Sequence, residues 1–284
     1  MLQLVRSMFV SEMVLTRRLF CLTGLVLFLG CKHNPVDPGG NLKSVDFRLG
    51  NHEVYEWTIS EFDSAGVAVV QYRDTFVVTV AAFGETLGTM TDLLRINAYQ
   101  IRSPSETTSV WYRTSSTELT EVAYFAAGRV PVVTPKRQGR SGLGPGFAPG
   151  PSVLEVPYTV QRRLGYLHEI SDSVIFREDP RIVYKFPLVV GSSWTSFESP
   201  FLQTREVTDY TPVSVRGGAS VCAAILTRLP TMDPNLEWFD YVCDRGILLR
   251  EIHLSLYTTT LNSPEPVDSV RVLERLELLS RSTD

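Results

Sequence analysis

Apolar residues recur at every second position in run after run of this chain, and a period of two restricts those runs to strands. In 53–60, Tyr55, Trp57 and Ile59 share one face while Glu56, Thr58 and Ser60 take the other. Phe76, Val78 and Val80 repeat the pattern in 75–81. Similar runs occupy 67–72, 93–101, 110–113, 118–125, 156–164, 173–176, 182–186, 194–198, 205–210, 220–229, 237–243, 248–257 and 269–278. Val, Thr, Tyr, Phe and Trp favour a pleated surface, and Asp63-Ser64-Ala65-Gly66, Arg216-Gly217-Gly218 and Asp244-Arg245-Gly246 supply turns. Val272, Leu273, Leu276 and Leu279 in the last run would also suit one helical face, but the run is assigned as a closing strand. The expectation is an all-β protein whose antiparallel sheet curls into a half-barrel or barrel-like body over residues 45–284.

The strongest shift in composition is 135–152, where Gly and Pro alternate too often for regular structure. As a linker it would separate subdomains at 45–133 and 153–284. As a loop it would leave one continuous sheet, which is the preferred reading. Lys136, Arg137 and Arg140 within it could meet anionic lipid or polysaccharide, although a solvated loop is the simpler account.

Ahead of the body stand Arg17-Arg18, an apolar run of about a dozen residues over 19–30, and a small residue before Cys31. A membrane-spanning helix needs about 20 residues, so this run fits an export signal better than a span. It resembles the lipobox of bacterial lipoproteins, with Phe28-Leu29-Gly30-Cys31 as the last four positions. The resemblance implies a signal peptide over 1–30 and a lipid-bearing N-terminus at Cys31. With Lys32 after the lipidated cysteine, it also implies the outer membrane of a two-membrane host. Met13 is a plausible true start, leaving Arg17 and Arg18 as a compact basic region. Polar, breaker-rich residues 31–44 are read as a flexible tether. The formal charge of −4 becomes more negative once Arg6, Arg17, Arg18 and Glu12 leave with the signal. A mildly acidic body lacks the clustered positive charge of a nucleic-acid footprint or a polybasic membrane patch.

Cys21 leaves with the signal and Cys31 is committed to lipid, so Cys222 and Cys243 remain. Two apolar runs carry them, separated by the turn-rich Pro230–Asn235 segment. A hairpin centred between Met232 and Asp233 sets Cys222 directly opposite Cys243, close enough for a structural disulfide in an exported protein. A redox or metal pair would call for C-x-x-C spacing or a nearby His, and neither is present.

From Phe186-Pro187-Leu188-Val189-Val190-Gly191-Ser192-Ser193-Trp194 onward the chain resembles bacterial lipoproteins of uncharacterised function. These carry Pro-Leu-x-x-Gly-x-x-Trp at a strand start, then a β stretch with Gly and Cys, then an aromatic strand leading to Gly-Leu-Val-Lys. The counterparts here are Val215–Cys222, Glu237–Tyr241 and Gly246-Ile247-Leu248-Leu249-Arg250. The likeness spans about 180–260 and implies an all-β body on a lipid tether. It points to Gly191, Trp194 and Gly246 as fold determinants.

Chemistry is sparse. His33, His52, His168 and His253 are scattered without metal-binding spacing, so no metal or cofactor is expected. Gly139-Arg140-Ser141-Gly142 lies in the Gly/Pro segment and offers no nucleophile elbow, and Gly142, Gly144 and Gly146 open no helix to cradle phosphate. Glu251 and His253 share a strand face at i, i+2, and Glu61 and Asp63 form one of several carboxylate pairs. No catalytic residue is assigned. The expected role is a non-enzymatic envelope protein, joined to the membrane through Cys31 and binding an envelope protein, lipid or glycan. Two alternatives remain: a carboxylate-dependent hydrolase of envelope polymers built on Glu251, Glu237 and Asp240, or a carrier holding an acyl chain inside the sheet. Converging acids in a cleft would mark the first and an elongated apolar cavity the second.

Overall fold

A computed structural model of the chain describes residues 41–126, 173–198, 202–231, 233–260 and 263–283. The expected export signal over 1–30, Cys31, the Gly/Pro segment at 135–152 and the run at 156–164 lie outside the described residues. The strands are β1 (Asn41–Leu42), β2 (Asn51–Phe62), β3 (Ala68–Leu87), β4 (Met90–Gln100), β5 (Ser103–Thr114), β6 (Glu118–Ala126), β7 (Ile175–Lys185), β8 (Leu188–Val189), β9 (Ser193–Phe197), β10 (Gln203–Val215), β11 (Gly218–Leu229), β12 (Asp233–Cys243), β13 (Gly246–Thr260) and β14 (Ser263–Thr283).

Twelve of them form one antiparallel sheet in the order β7-β6-β5-β4-β3-β2-β14-β13-β12-β11-β10-β9. Almost every neighbour in the sheet is a neighbour in sequence, as hairpins require. The exception is β14, which returns to pair with β2 along nearly its whole length and joins the two arms. Strands from both sides of the 135–152 segment belong to this sheet, because β6 pairs with β7.

The sheet curls until it nearly closes into a barrel, and its edges meet through side chains instead of a ladder. Trp194 Nε1 and Ser196 Oγ on β9 both donate to the Ile182 carbonyl on β7, at 3.2 and 2.7 Å. Arg205 Nη1 on β10 reaches the neighbouring Val183 carbonyl at 2.9 Å. Carbonyls that would template another strand are thereby occupied.

Period two is realised as expected along β2, where Tyr55, Trp57 and Ile59 are buried. Trp57 packs edge-on against Tyr72 and Phe76, with ring centroids 5.1 and 5.5 Å apart. Each large side chain buried in this cluster contributes about 1.5–3 kcal/mol through apolar area removed from water. The cluster continues around the interior through Val78, Leu94, Ile96, Tyr112, Ile225, Trp238, Ile252 and Leu276.

A second apolar layer was not foreseen. Repeated register shifts between Val80 and Leu87 bend the β3–β4 hairpin, with Gly84 and Gly88 at φ +66° and +61°. Its tip approaches β7, where Phe176 lies 3.5 Å from a Cβ placed at Gly88. Leu87 and Met90 there pack with Leu93, Trp111, Val122 and Ala123 in a separate cluster, and Trp111 Nε1 donates to Glu85 at 2.9 Å.

Asn41 and Leu42, read as part of the tether, are bonded to the body. Asn41 pairs with Val189 and Leu42 with Leu188. The Leu42 N–H donates to Tyr210 Oη, which donates in turn to the Leu188 carbonyl, both at 2.6 Å.

Candidate functional site

Strand alternation places several charges in phase with apolar neighbours, and the fold buries them. On β12, Asp240 shares its face with Trp238 and Val242; on β13, Arg250 shares its face with Leu248 and Ile252. The hairpin register sets Asp240 opposite Arg250, whose Nε donates at 2.5 Å and Nη2 at 3.1 Å. Trp238 Nε1 donates to the same carboxylate at 3.0 Å. Burial alone would push the Asp240 carboxyl up, but Arg250 and Arg205 hold it below the usual carboxylate range. Arg205 and Arg250 also stand over the Trp238 ring, 5.4 and 5.0 Å from its centre.

Arg205 is the less satisfied cation. Burial brings its pKa down to about 10, against the pull of Asp240 4.0 Å away. Its Nε and Nη2, both amide atoms of Gln203 and the hydroxyl of Thr227 have no hydrogen-bond partner among the described residues. Two further buried polar groupings line the body: Glu121 with Arg177 and Arg181, and Glu274 with the indole N–H of Trp57.

At the end of the barrel where β2 begins, residues 45–51 and the β12–β13 turn frame a mouth. The Asp46 N–H donates to the Asp244 carbonyl and the Gly50 N–H to that of Val80. Gly246, at φ +110°, makes the turn beside Glu53 and Arg281. Arg281 Nε donates to Glu53 at 2.6 Å, and Tyr55 Oη lies 2.6 Å from the same carboxylate and 2.8 Å from the Ile247 carbonyl. Burial raises the Glu53 carboxyl despite Arg281 and Tyr55.

A cavity of about 40 Å³ opens here, lined by Phe47, Val78, Val80, Ile96 and Ile247 with Asn51, Tyr184 and Arg245. One water needs about 10–15 Å³ by this measure, so the deep part has room for about three. Asn51 Oδ1 and Tyr184 Oη are both buried without a hydrogen-bond partner among the described residues. Burial pushes the Tyr184 hydroxyl well above its ordinary pKa, so it stays protonated.

The cysteines flank this mouth. Cys222 faces Cys243 one step beyond the last ladder pair, Ala223 with Val242, in the register expected from a hairpin centred at 232/233. The disulfide itself is absent, and both are buried free thiols. The Cys222 thiol donates instead to the Ser220 carbonyl at 3.7 Å, and the interaction of the two facing thiols drives Cys222 up and draws Cys243 down. Closing the bridge requires an oxidant to remove two electrons and two protons, which proximity alone does not do.

The carboxylates considered for hydrolysis do not converge. Asp240 is buried against Arg250, whereas Glu237, on the opposite strand face, is exposed. Glu251 shares Glu237's side of the sheet and lies 3.7 Å from Arg275, and exposed His253 pairs in register with Glu237. Glu61 is buried, and Asp63 caps the β2–β3 turn by accepting from the Ala65 and Val67 N–H groups. Among the described residues no three His, Cys, Asp or Glu side chains are placed to hold a metal ion.

Gly191, at φ +83°, donates its N–H to the Val207 carbonyl. With buried Leu188 and with Trp194 bonded across the seam, it turns the chain from one sheet edge to the other. Sequence reasoning missed Glu53, Tyr55, Tyr184 and Arg281, which come from three distant strands. Asp240, considered as a hydrolytic acid, pairs with Arg250 instead; the signal that could have found the pair is that each lies in phase with apolar residues across a short hairpin.

No family model matches this chain, and no curated protein does. Among solved structures, a presumed exported protein of Bacteroides fragilis with a YmcC-like fold is similar at 12% identity and a TM-score of 0.37. The match covers 85% of this chain and 100% of that one.

Proposed function

We propose that this chain is a lipid-anchored protein of the bacterial cell envelope whose β body has a non-enzymatic binding or accessory role. The observation that carries the reading is the signal ending in Leu29-Gly30-Cys31. The first described residues after it, Asn41 and Leu42, are bonded to β8 and to Tyr210, so a lipid on Cys31 pulls on the folded barrel itself. In a two-membrane host the anchor sits in the outer membrane, and in that oxidising setting Cys222 and Cys243 close to a disulfide. The partner is an envelope protein, a lipid or a glycan.

The separated carboxylates favour this reading over hydrolysis. Acyl carriage is less favoured because the interior is filled by side chains and the mouth cavity has room for about three waters.

Metabolic labelling with an alkyne fatty acid, followed by membrane fractionation, tests the anchor. Label and membrane association should both be present in the wild type and lost in Cys31→Ala. Unlabelled wild type, or label persisting in the variant, overturns the reading. Mass spectrometry of the exported protein under non-reducing conditions should show a Cys222–Cys243 cross-linked peptide.

A further inference from the structure

We propose that the turn after β8, with Val190 at its tip, rests on the phospholipid surface to which the chain is anchored. Residues 189–192 form a tight turn in which the Ser192 N–H and hydroxyl both donate to the Val189 carbonyl, at 2.9 and 2.6 Å. Gly191, at φ +83°, takes its left-handed third position. Solvent-facing turns favour Gly, Pro, Asn, Asp or Ser, yet Val189 and Val190 stand here 39% and 51% exposed.

The occupant follows from where the chain enters the body. Asn41 pairs with Val189, and the nine residues 32–40 separate it from Cys31. That stretch of chain reaches at most about 35 Å, so a lipid on Cys31 keeps the turn close to the bilayer. Three residues lie between Leu42 and Asp46, whose N–H bonds to the Asp244 carbonyl, so β1 and β8 belong to the mouth end of the barrel. Leu49, 65% exposed, is on the same rim, and exposed Lys43 adds a cation suited to anionic headgroups. The exposed Asp209 and Asp244 confine the contact to headgroup depth. So small an apolar tip would not hold a free protein on a bilayer, but the anchor makes the encounter intramolecular, and burying the tip is then enough to orient the body. This inference rests on the lipid anchor proposed above.

The test uses the full-length acylated protein in vesicles of phosphatidylethanolamine and phosphatidylglycerol that carry a headgroup-level quencher. An environment-sensitive fluorophore is attached at Val190→Cys, or at Val67→Cys in the exposed β2–β3 turn of the far end, where no tether enters; Cys222 and Cys243 are buried away from the label. Quenching at 190 should exceed that at 67 by about threefold or more. With the label moved to Lys43→Cys, Val190→Asp should cut the quenching by about half. Acylated protein that is quenched equally at both ends, or whose quenching at Lys43→Cys is unchanged by Val190→Asp, overturns the contact and leaves the anchor standing. Protein that carries no fatty acid overturns both.

Discussion

Two arcs of one sheet wall the same interior with different chemistry. Along β2, β3 and β4 the inward positions include Tyr55, Trp57, Phe76, Val78 and Ile96, held by apolar area and ring contacts. Along β10, β12 and β13 the corresponding layer holds Arg205, Asp240 and Arg250 around Trp238. The apolar arc tolerates change in proportion to the volume removed. The charged arc is stable only as a set, because each ion's desolvation is offset by partners that must all be present.

The largest effects should come from breaking each arc once. Asp240→Ala leaves Arg250 and Arg205 buried without their carboxylate and should cost about 3–5 kcal/mol in urea unfolding. Phe76→Ala should cost a similar 3–5 kcal/mol by opening a cavity. The arcs then separate by repair: replacing Asp240, Arg250 and Arg205 together with apolar residues of similar volume should restore much of the stability. If the triple variant is worse than Asp240→Ala alone, the charged arc is not the self-compensating set described here.

Acid sharpens the same contrast. Because Asp240 is held below the usual carboxylate range when folded, its contribution is fully present above the unfolded value near 3.9 and fades as pH falls through the lower folded value. Asp240→Asn should therefore flatten the stability profile below about pH 4, while Phe76→Ala should shift it uniformly. Equal slopes in the two variants would remove Asp240 from the account.

Smaller effects lie at the seam and the mouth. Ser196→Ala removes one of two donors to Ile182 and should cost about 1 kcal/mol. Tyr184→Phe deletes an unpartnered hydroxyl, so stability should be unchanged or slightly raised; a clear loss would mean that the hydroxyl is bonded in solution. In the reduced protein, ultraviolet absorbance of the Cys243 thiolate should grow in below the ordinary thiol range and move upward in Cys222→Ala, where the neighbouring thiol is gone.

Much of the framework was legible before any coordinates. The facing of Cys222 and Cys243 follows from counting residues across one hairpin, and their register needs no distant contact. Asp240 and Arg250 pair across the next hairpin, but the sequence analysis took Asp240 for a hydrolytic acid, because a charged residue on an apolar phase is easily taken for a solvent-facing one. Glu237, Glu251 and His253 show the opposite case, polar residues in the polar phase that stay on the outer side. The mouth was not legible, since Asn51, Tyr184 and Ile247 belong to strands that meet only when β14 pairs with β2 and the sheet curls.

The sequence by itself determined the period-two strands, their turns, and the pairing of neighbours across short connections. Those features are local, set by side-chain alternation and turn chemistry. Only the tertiary structure decided that β14 joins β2, that the edges meet through Trp194, Ser196 and Arg205, and that Asn51 and Tyr184 line one cavity. These depend on twist, bulges and the closure of a long sheet, small rotations at many residues whose sum no single segment encodes.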